Sequence, residues 1–341
     1  MANVTFTVPN KSGSYDGDMV VKQYTSAIID SGDTVTTDQP CRGLFILVKG
    51  DLTVNGTLTM SARGPYANPT SSGGSDSNTV DSSGLRFPFI TSGGSDSLTA
   101  AATLLNGCGT EARSVIANFP TLSSDGTVIS IPRVGTTRGS GANANNNTGS
   151  VAGGDGGTTT NGCGGGGAGK AYYRALSQDG GLSSCFGGGS GSGAIRSYTS
   201  NRTNSSSPQD YGGIGGEGQY YFQFNNVCGG GAGNPGGNSQ GTSTNGSTGT
   251  GGLIILVVAG NVTIGASGKI LANGTPGGTD QSNTNDMEGG ASGGGRIIIA
   301  HTGTYTNNGT VQAVGGKAAT SGMGGTGGDG GAGTVTVQQI A

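Results

Sequence analysis

The sequence predicts an all-β protein: an elongated β-sandwich or solenoid-like set of repeats, joined by glycine-rich, polyglycine-II-like segments, with very little helix. Three observations carry this reading. Glycine supplies 75 of 341 residues, about three times its usual share of ~7%. Only 10% of residues are charged and Trp is absent, so the Leu-, Glu- and Lys-rich faces of ordinary helices are missing. Finally, three segments repeat one plan of strand, glycine, strand, glycine, strand.

The first repeat runs from Leu44-Phe-Ile-Leu-Val through Gly50 and Gly56 to Gly64. The second begins at Leu253-Ile-Ile-Leu-Val-Val, turns at Gly260 and Gly268 and ends at Gly274. The third begins at Arg296-Ile-Ile-Ile-Ala-His, turns at Gly303 and Gly309 and ends at Gly315. Each opening run is continuously apolar, which suits a strand buried on both faces; the later pieces alternate, which suits burial on one face. The turn glycines are expected at positive φ, where glycine meets no steric cost. Thr334-Val-Thr-Val-Gln would close the stack as a last strand.

Between the strands lie glycine tracts, among them 152–157, 162–169, 187–193, 229–237, 289–295 and 322–333. Residues 324–332 read Gly-Gly-Thr-Gly-Gly-Asp-Gly-Gly-Ala, a period of three. That period is the repeat of a polyproline-II-type helix, which forms no internal hydrogen bonds and must bond to its neighbours. The one good helix candidate is Ser97–Gly107, with a capping Ser and a terminating Gly.

Composition divides the chain into four regions. Residues 1–40 form an N-terminal attachment or lead-in segment. Residues 41–140 are β-rich with Ser/Gly loops, 141–252 are glycine-rich with variable loops, and 253–341 hold the C-terminal repeats.

Several function classes lose support. A net charge of −3 without a basic cluster gives nothing to displace counterions from nucleic-acid phosphates. The longest apolar stretch, Leu253 to Ala259, is far short of a membrane span. The start, Met1-Ala-Asn-Val-Thr-Phe, has neither a basic nor an apolar leader region, so cytoplasmic synthesis without a signal peptide is expected. Gly164-Gly-Gly-Gly-Ala-Gly-Lys170 nearly spells a phosphate loop, yet Ala171 replaces the required Ser or Thr. Gly290-Ala-Ser292-Gly-Gly294 fits a nucleophile elbow, but His301 is the only His and a strand follows. Asp329 stands in half of a calcium nonapeptide, without tandem copies. Five cysteines (Cys41, Cys108, Cys163, Cys185, Cys228) include no Cys-x-x-Cys pair and are read as small buried thiols. No catalytic residue, metal or cofactor is expected.

Aromatics concentrate in 172–224. Tyr172, Tyr173, Tyr198, Tyr211, Tyr220, Tyr221 and Phe222 are the candidate receptor-binding residues, because tyrosine offers flat amphipathic area at low entropic cost. The strand segment 41–65 resembles glycine-rich structural proteins of tailed bacteriophages. The glycine tracts from 152 onward are similar in format to phage adhesins, where packed polyglycine-II helices carry loops that touch the host receptor. The resemblance implies a non-catalytic tail-fibre or appendage protein, resident in the virion and homotrimeric. Its partners would be other virion proteins and a host surface glycan or protein, with no nucleic acid and no membrane insertion. Two further readings fit the same composition: a purely structural decoration, neck or tail protein, and a polysaccharide-degrading β-solenoid.

Overall fold

The computed structural model describes residues 3–65 apart from 12, 15 and 16, together with 97–98, 129–130, 155–158, 163–167, 187–189, 191, 194–195, 243–244, 249–277, 290–318 and 327–339. No helix occurs among these residues.

The strands come in layers. β1 (Val4–Phe6) precedes a first layer of β2 (Val20–Tyr24), β3 (Ala27–Ile29) and β4 (Thr34–Thr37). The second layer is β5 (Leu44–Val48), β6 (Leu52–Val54) and β7 (Thr57–Thr59). A long excursion follows. In it β8 (Ser97–Leu98) pairs antiparallel with β9 (Ile129–Ser130), and β10 (Ala194–Ile195) with β11 (Ser243–Thr244). The third layer is β12 (Leu253–Val258), β13 (Val262–Ile264) and β14 (Lys269–Leu271). The fourth is β15 (Arg296–His301), β16 (Tyr305–Asn307) and β17 (Thr310–Gln312), after which β18 (Thr334–Gln339) stands alone.

Every layer gives one strand to each of three sheets, ordered β18-β15-β12-β5-β2, β16-β13-β6-β3 and β1-β4-β7-β14-β17. All pairings in these three sheets are parallel. This corrects the fold class predicted from sequence, an elongated β-sandwich or solenoid-like set of repeats. A sandwich packs antiparallel sheets whose strands pair along the chain; here each strand pairs with its counterpart in another layer. The layers are also not a continuous run of repeats, because residues 60–252 separate the second from the third. The proposed helix at Ser97–Gly107 is corrected where it is described, since Ser97–Leu98 are strand; residues 99–107 lie outside the described residues.

Parallel, in-register pairing turns each inward position into a column of like side chains. Val20, Leu44, Ile254, Ile297 and Val335 are successive partners across five strands. Beside them run Ile46, Leu256 and Ile299, and then Val54 with Ile264 and Leu58 with Ile270. All of these except Val335 belong to the hydrophobic core, and those of the second and third layers are almost fully buried. Burying a Leu or Ile side chain stabilises by roughly 1.5–3 kcal/mol, and β-branched residues suit the pleat. β5, β12 and β15 are buried at every position, so their continuous apolar runs match burial on both faces. β6 alternates, with Thr53 half-buried between Leu52 and Val54.

The corners between strands show why glycine recurs there. Positive φ among the described glycines is confined to Gly13, Gly32 and Gly43, so the expectation of positive φ at Gly50, Gly56, Gly64, Gly260, Gly268, Gly303 and Gly309 is corrected. The cause is close stacking between layers. A Cβ on Gly50 would lie 2.8 Å from the Thr25 carbonyl oxygen, and one on Gly260 would lie 2.6 Å from the Gly50 carbonyl oxygen. Side chains next to these glycines bridge the same layers. The amide of Asn261 donates to Asp51 Oδ1 at 2.7 Å, and the amide of Thr304 donates to Asn261 Oδ1 at 2.8 Å.

Candidate functional site: the glycine bundle

The glycine segments lie side by side and bond laterally. Residues 290–295 form the central rod. Its donors change partner at each residue and return to the same neighbour every third. Ala291 and Gly294 donate to Gly328 and Gly331, Ser292 and Gly295 to Thr275 and Ala272, and Gly293 to Gly189, all at 2.7–3.0 Å. Its carbonyls accept from three more segments: from Gly164 and Gly167, from Gly316, and from Gly251. Six neighbours thus surround one rod. A three-residue screw without internal hydrogen bonds has this lateral bonding, and it satisfies buried backbone groups that no sheet pairs.

Glycine is required here by proximity rather than by φ. A Cβ on Gly164, Gly188, Gly191, Gly293, Gly294, Gly315 or Gly331 would overlap backbone atoms of a neighbouring rod. Ordering glycine costs more entropy than ordering any other residue. The dense lateral bonding offsets that cost.

Polar side chains tie the rods at defined points. Ser292 is fully buried, and its Oγ accepts from the Thr275 amide at 2.7 Å. Thr275 Oγ1 in turn donates to the Gly249 carbonyl at 2.8 Å. Asp329 pairs with Lys317 at 2.5 Å, accepts from the Ala318 amide at 2.8 Å, and donates its own amide to Asp155 Oδ1 at 2.9 Å. Partial burial alone would raise the Asp329 carboxyl, but the Ala318 amide and the Lys317 ammonium outweigh it and hold the carboxyl below its ordinary value. The hydrogen bond from Lys317 correspondingly raises the lysine.

The bundle has two distinguishable ends. At the inner end the rods join strands: Gly252 leads into β12 and Gly295 into β15, with Arg296 N donating to Gly252 O at 3.0 Å. At the outer end sit Gly167, Gly191, Gly249, Thr275, Gly290, Lys317 and Gly328. Their shared level follows from Gly167 N to Ala291 O (2.8 Å), Ala291 N to Gly328 O (3.0 Å), Thr275 Oγ1 to Gly249 O (2.8 Å) and the close approach of Gly191 to Gly290. Three stretches of chain therefore leave and return at one end: 192–248, 278–289 and 319–326. The stretch 168–186 leaves there too, and returns at Gly187, which bridges Gly252.

The candidate receptor-binding residues Tyr172, Tyr173, Tyr198, Tyr211, Tyr220, Tyr221 and Phe222 lie outside the described residues. Their roots do not: Gly167 and Gly191 begin the two stretches that contain them. Cys41 and Cys163 are buried, while Cys108, Cys185 and Cys228 lie outside the described residues.

The near-motifs of the sequence meet other fates. The amides of Gly164, Gly165 and Gly167 donate to Gly294, Gly157 and Ala291, which commits them to the bundle rather than to a phosphate. Ser292 Oγ is engaged with Thr275. His301 lies in β15, stacked on Tyr305 with centroids 5.8 Å apart, and its Nδ1 is 2.8 Å from the Gly303 carbonyl. Among the described residues no three His, Cys, Asp or Glu side chains are grouped to hold a metal. Sequence reasoning missed the Asp155, Asp329 and Lys317 contacts. The only available signal was the placement of acids inside three-residue glycine repeats. Comparison with protein-family models, with curated proteins and with solved structures gave no match.

Proposed function

We propose that this chain is a non-catalytic structural component of a bacteriophage particle, a tail-fibre or appendage protein that displays variable segments to a host surface. One observation carries the reading: the stretches containing the aromatic residues start at the same end of a glycine bundle cross-bonded through its backbone. A rigid scaffold that gathers several variable segments suits recognition, because binding loops work best when their supports do not move. Tyrosine-rich segments suit a glycan or a protein surface. On this reading the protein resides in the virion, and its other partners are virion proteins.

The test replaces Tyr172, Tyr173, Tyr198, Tyr211, Tyr220, Tyr221 and Phe222 together with serine. Deleting 172–224 is less informative, since it would also remove the Gly187–Gly191 rod. The substituted protein should keep the wild-type circular dichroism and melting temperature, yet lose its ability to compete with particles for host cells. Undiminished competition would reject these residues as the contact. Wild-type protein that binds particles but never host cells would favour a purely structural virion role.

A further inference from the structure

The two ends of the layered stack carry complementary half-layers. At one end β1 stands alone in its layer, in the β4 sheet; at the other, β18 stands alone in its layer, in the β15 sheet. Among the described strands, β16, β17 and β18 have no neighbour on their outer edges. Val335 and Val337 continue the columns of Ile297 and Ile299, which are fully buried, yet they are 37% and 39% exposed. The core is therefore open at this end. Natural edge strands are usually guarded by charge, proline or a bulge; residues 304–312 and 334–339 contain no charged residue and no proline.

We propose that this end seats on the β1–β3 end of a second copy, head to tail, with β18 pairing β2 and β17 pairing β1 in continuation of the parallel register. The lone strands then share one layer, β18 supplying its wall in one sheet and β1 its wall in another. The columns also continue across the joint. In that register Val335 stands opposite Val20 of the second copy, Val311 opposite Val4 and Ala313 opposite Phe6. Val20, Phe6 and Ala313 are already buried within each copy, so the joint newly covers Val335, Val337, Val311 and Val4. Val337 meets Lys22, whose methylene stem suits an apolar neighbour. Such a contact joins two different surfaces, so it does not close on itself and yields an open row of copies. It is independent of what the displayed segments bind.

The test pairs sedimentation with cross-linking. Wild-type protein should sediment faster as its concentration rises from about 1 to about 100 µM. V335K/V337K, which puts charges on the inward edge, should raise the concentration needed by at least about ten-fold. Val4 and Val311 lie four strand spacings apart within one chain, about 19 Å, too far for a disulfide. Oxidised V4C/V311C should thus form a ladder of dimers, trimers and longer rows beyond any seen with wild type. A mixture of V4C with V311C should stop at dimers. A monomer at all concentrations without cross-links overturns the proposal, and so does a dimer formed by V311C alone, which would mean tail-to-tail pairing.

Discussion

The amide of Gly164 donates to the carbonyl of Gly294 at 2.8 Å, joining the long excursion before the third layer to the chain entering the fourth. Neither residue has room for a side chain: a Cβ on Gly164 would overlap the Gly331 carbonyl, and one on Gly294 the Ala313 carbonyl, each in a further rod. A Cβ on Gly293, next along the same rod, would overlap the Gly164 carbonyl. G293A should therefore destabilise by about 3 kcal/mol, the upper range for overpacking. In a free linker the same change would stabilise by about 0.4–1 kcal/mol through the unfolded chain. The sign of the change in denaturant midpoint decides between the two.

Ser292 anchors the central rod through a side chain. S292A would leave the Thr275 amide without its acceptor and should cost about 1–3 kcal/mol. Chemical denaturation measures it, and S292T, which keeps a hydroxyl, separates the hydrogen bond from the crowding of an added methyl group.

Acid should loosen the outer end of the bundle. The Asp329 carboxyl is held below its ordinary value of 3.8, so its contribution is present above that pH and fades as the pH falls through the lowered value. Lys317 is raised above its ordinary 10.5; its share is complete below that pH and is lost as the pH rises through the raised value. D329N should abolish this part of the acid dependence, read as a flatter melting temperature below about pH 4. An unchanged acid profile in D329N would rule the pair out as its source.

The core columns predict a gradient along the stack. Leu256 is fully buried in the third layer, and Leu256→Ala should cost about 2–5 kcal/mol. Val337 lies on the open end, and Val337→Thr in dilute protein should change stability by no more than about 0.5 kcal/mol. Equal costs at the two sites would mean that the end is not open.

Much of the strand content was legible in the sequence. Leu44–Val48, Leu253–Val258 and the Ile-Ile-Ile-Ala interior of Arg296–His301 are too apolar for anything but burial, and all three strands are buried throughout. Their partnership was not legible. Alternation within a segment says which face is inward, but not whether the neighbouring strand is the next in sequence or the counterpart in another layer. Val20–Tyr24 is not legible as a member of the first layer because Lys22 and Gln23 interrupt the apolar run; the Lys22 ammonium lies 5.6 Å from the Phe6 ring centroid, at the end of the stack. Spacing locates the corner glycines but does not give their reason, since close approach by Thr25 or Gly50 leaves no local mark. In the glycine tracts the period of three was visible, whereas the Ser292–Thr275 and Asp329–Asp155 contacts join residues whose separation carries no pattern.

Hydrogen–deuterium exchange of the amides in 163–167, 290–295 and 328–333 probes the cross-bonded bundle most directly. Within them the amides of Gly164, Gly165, Gly167, residues 291–295, Gly330, Gly331 and Gly333 should be protected to the same order as β5 and β12, because they donate to carbonyls in neighbouring rods. Complete exchange at the first time point, with the strands still protected, would contradict a glycine scaffold and leave the displayed segments without a common support.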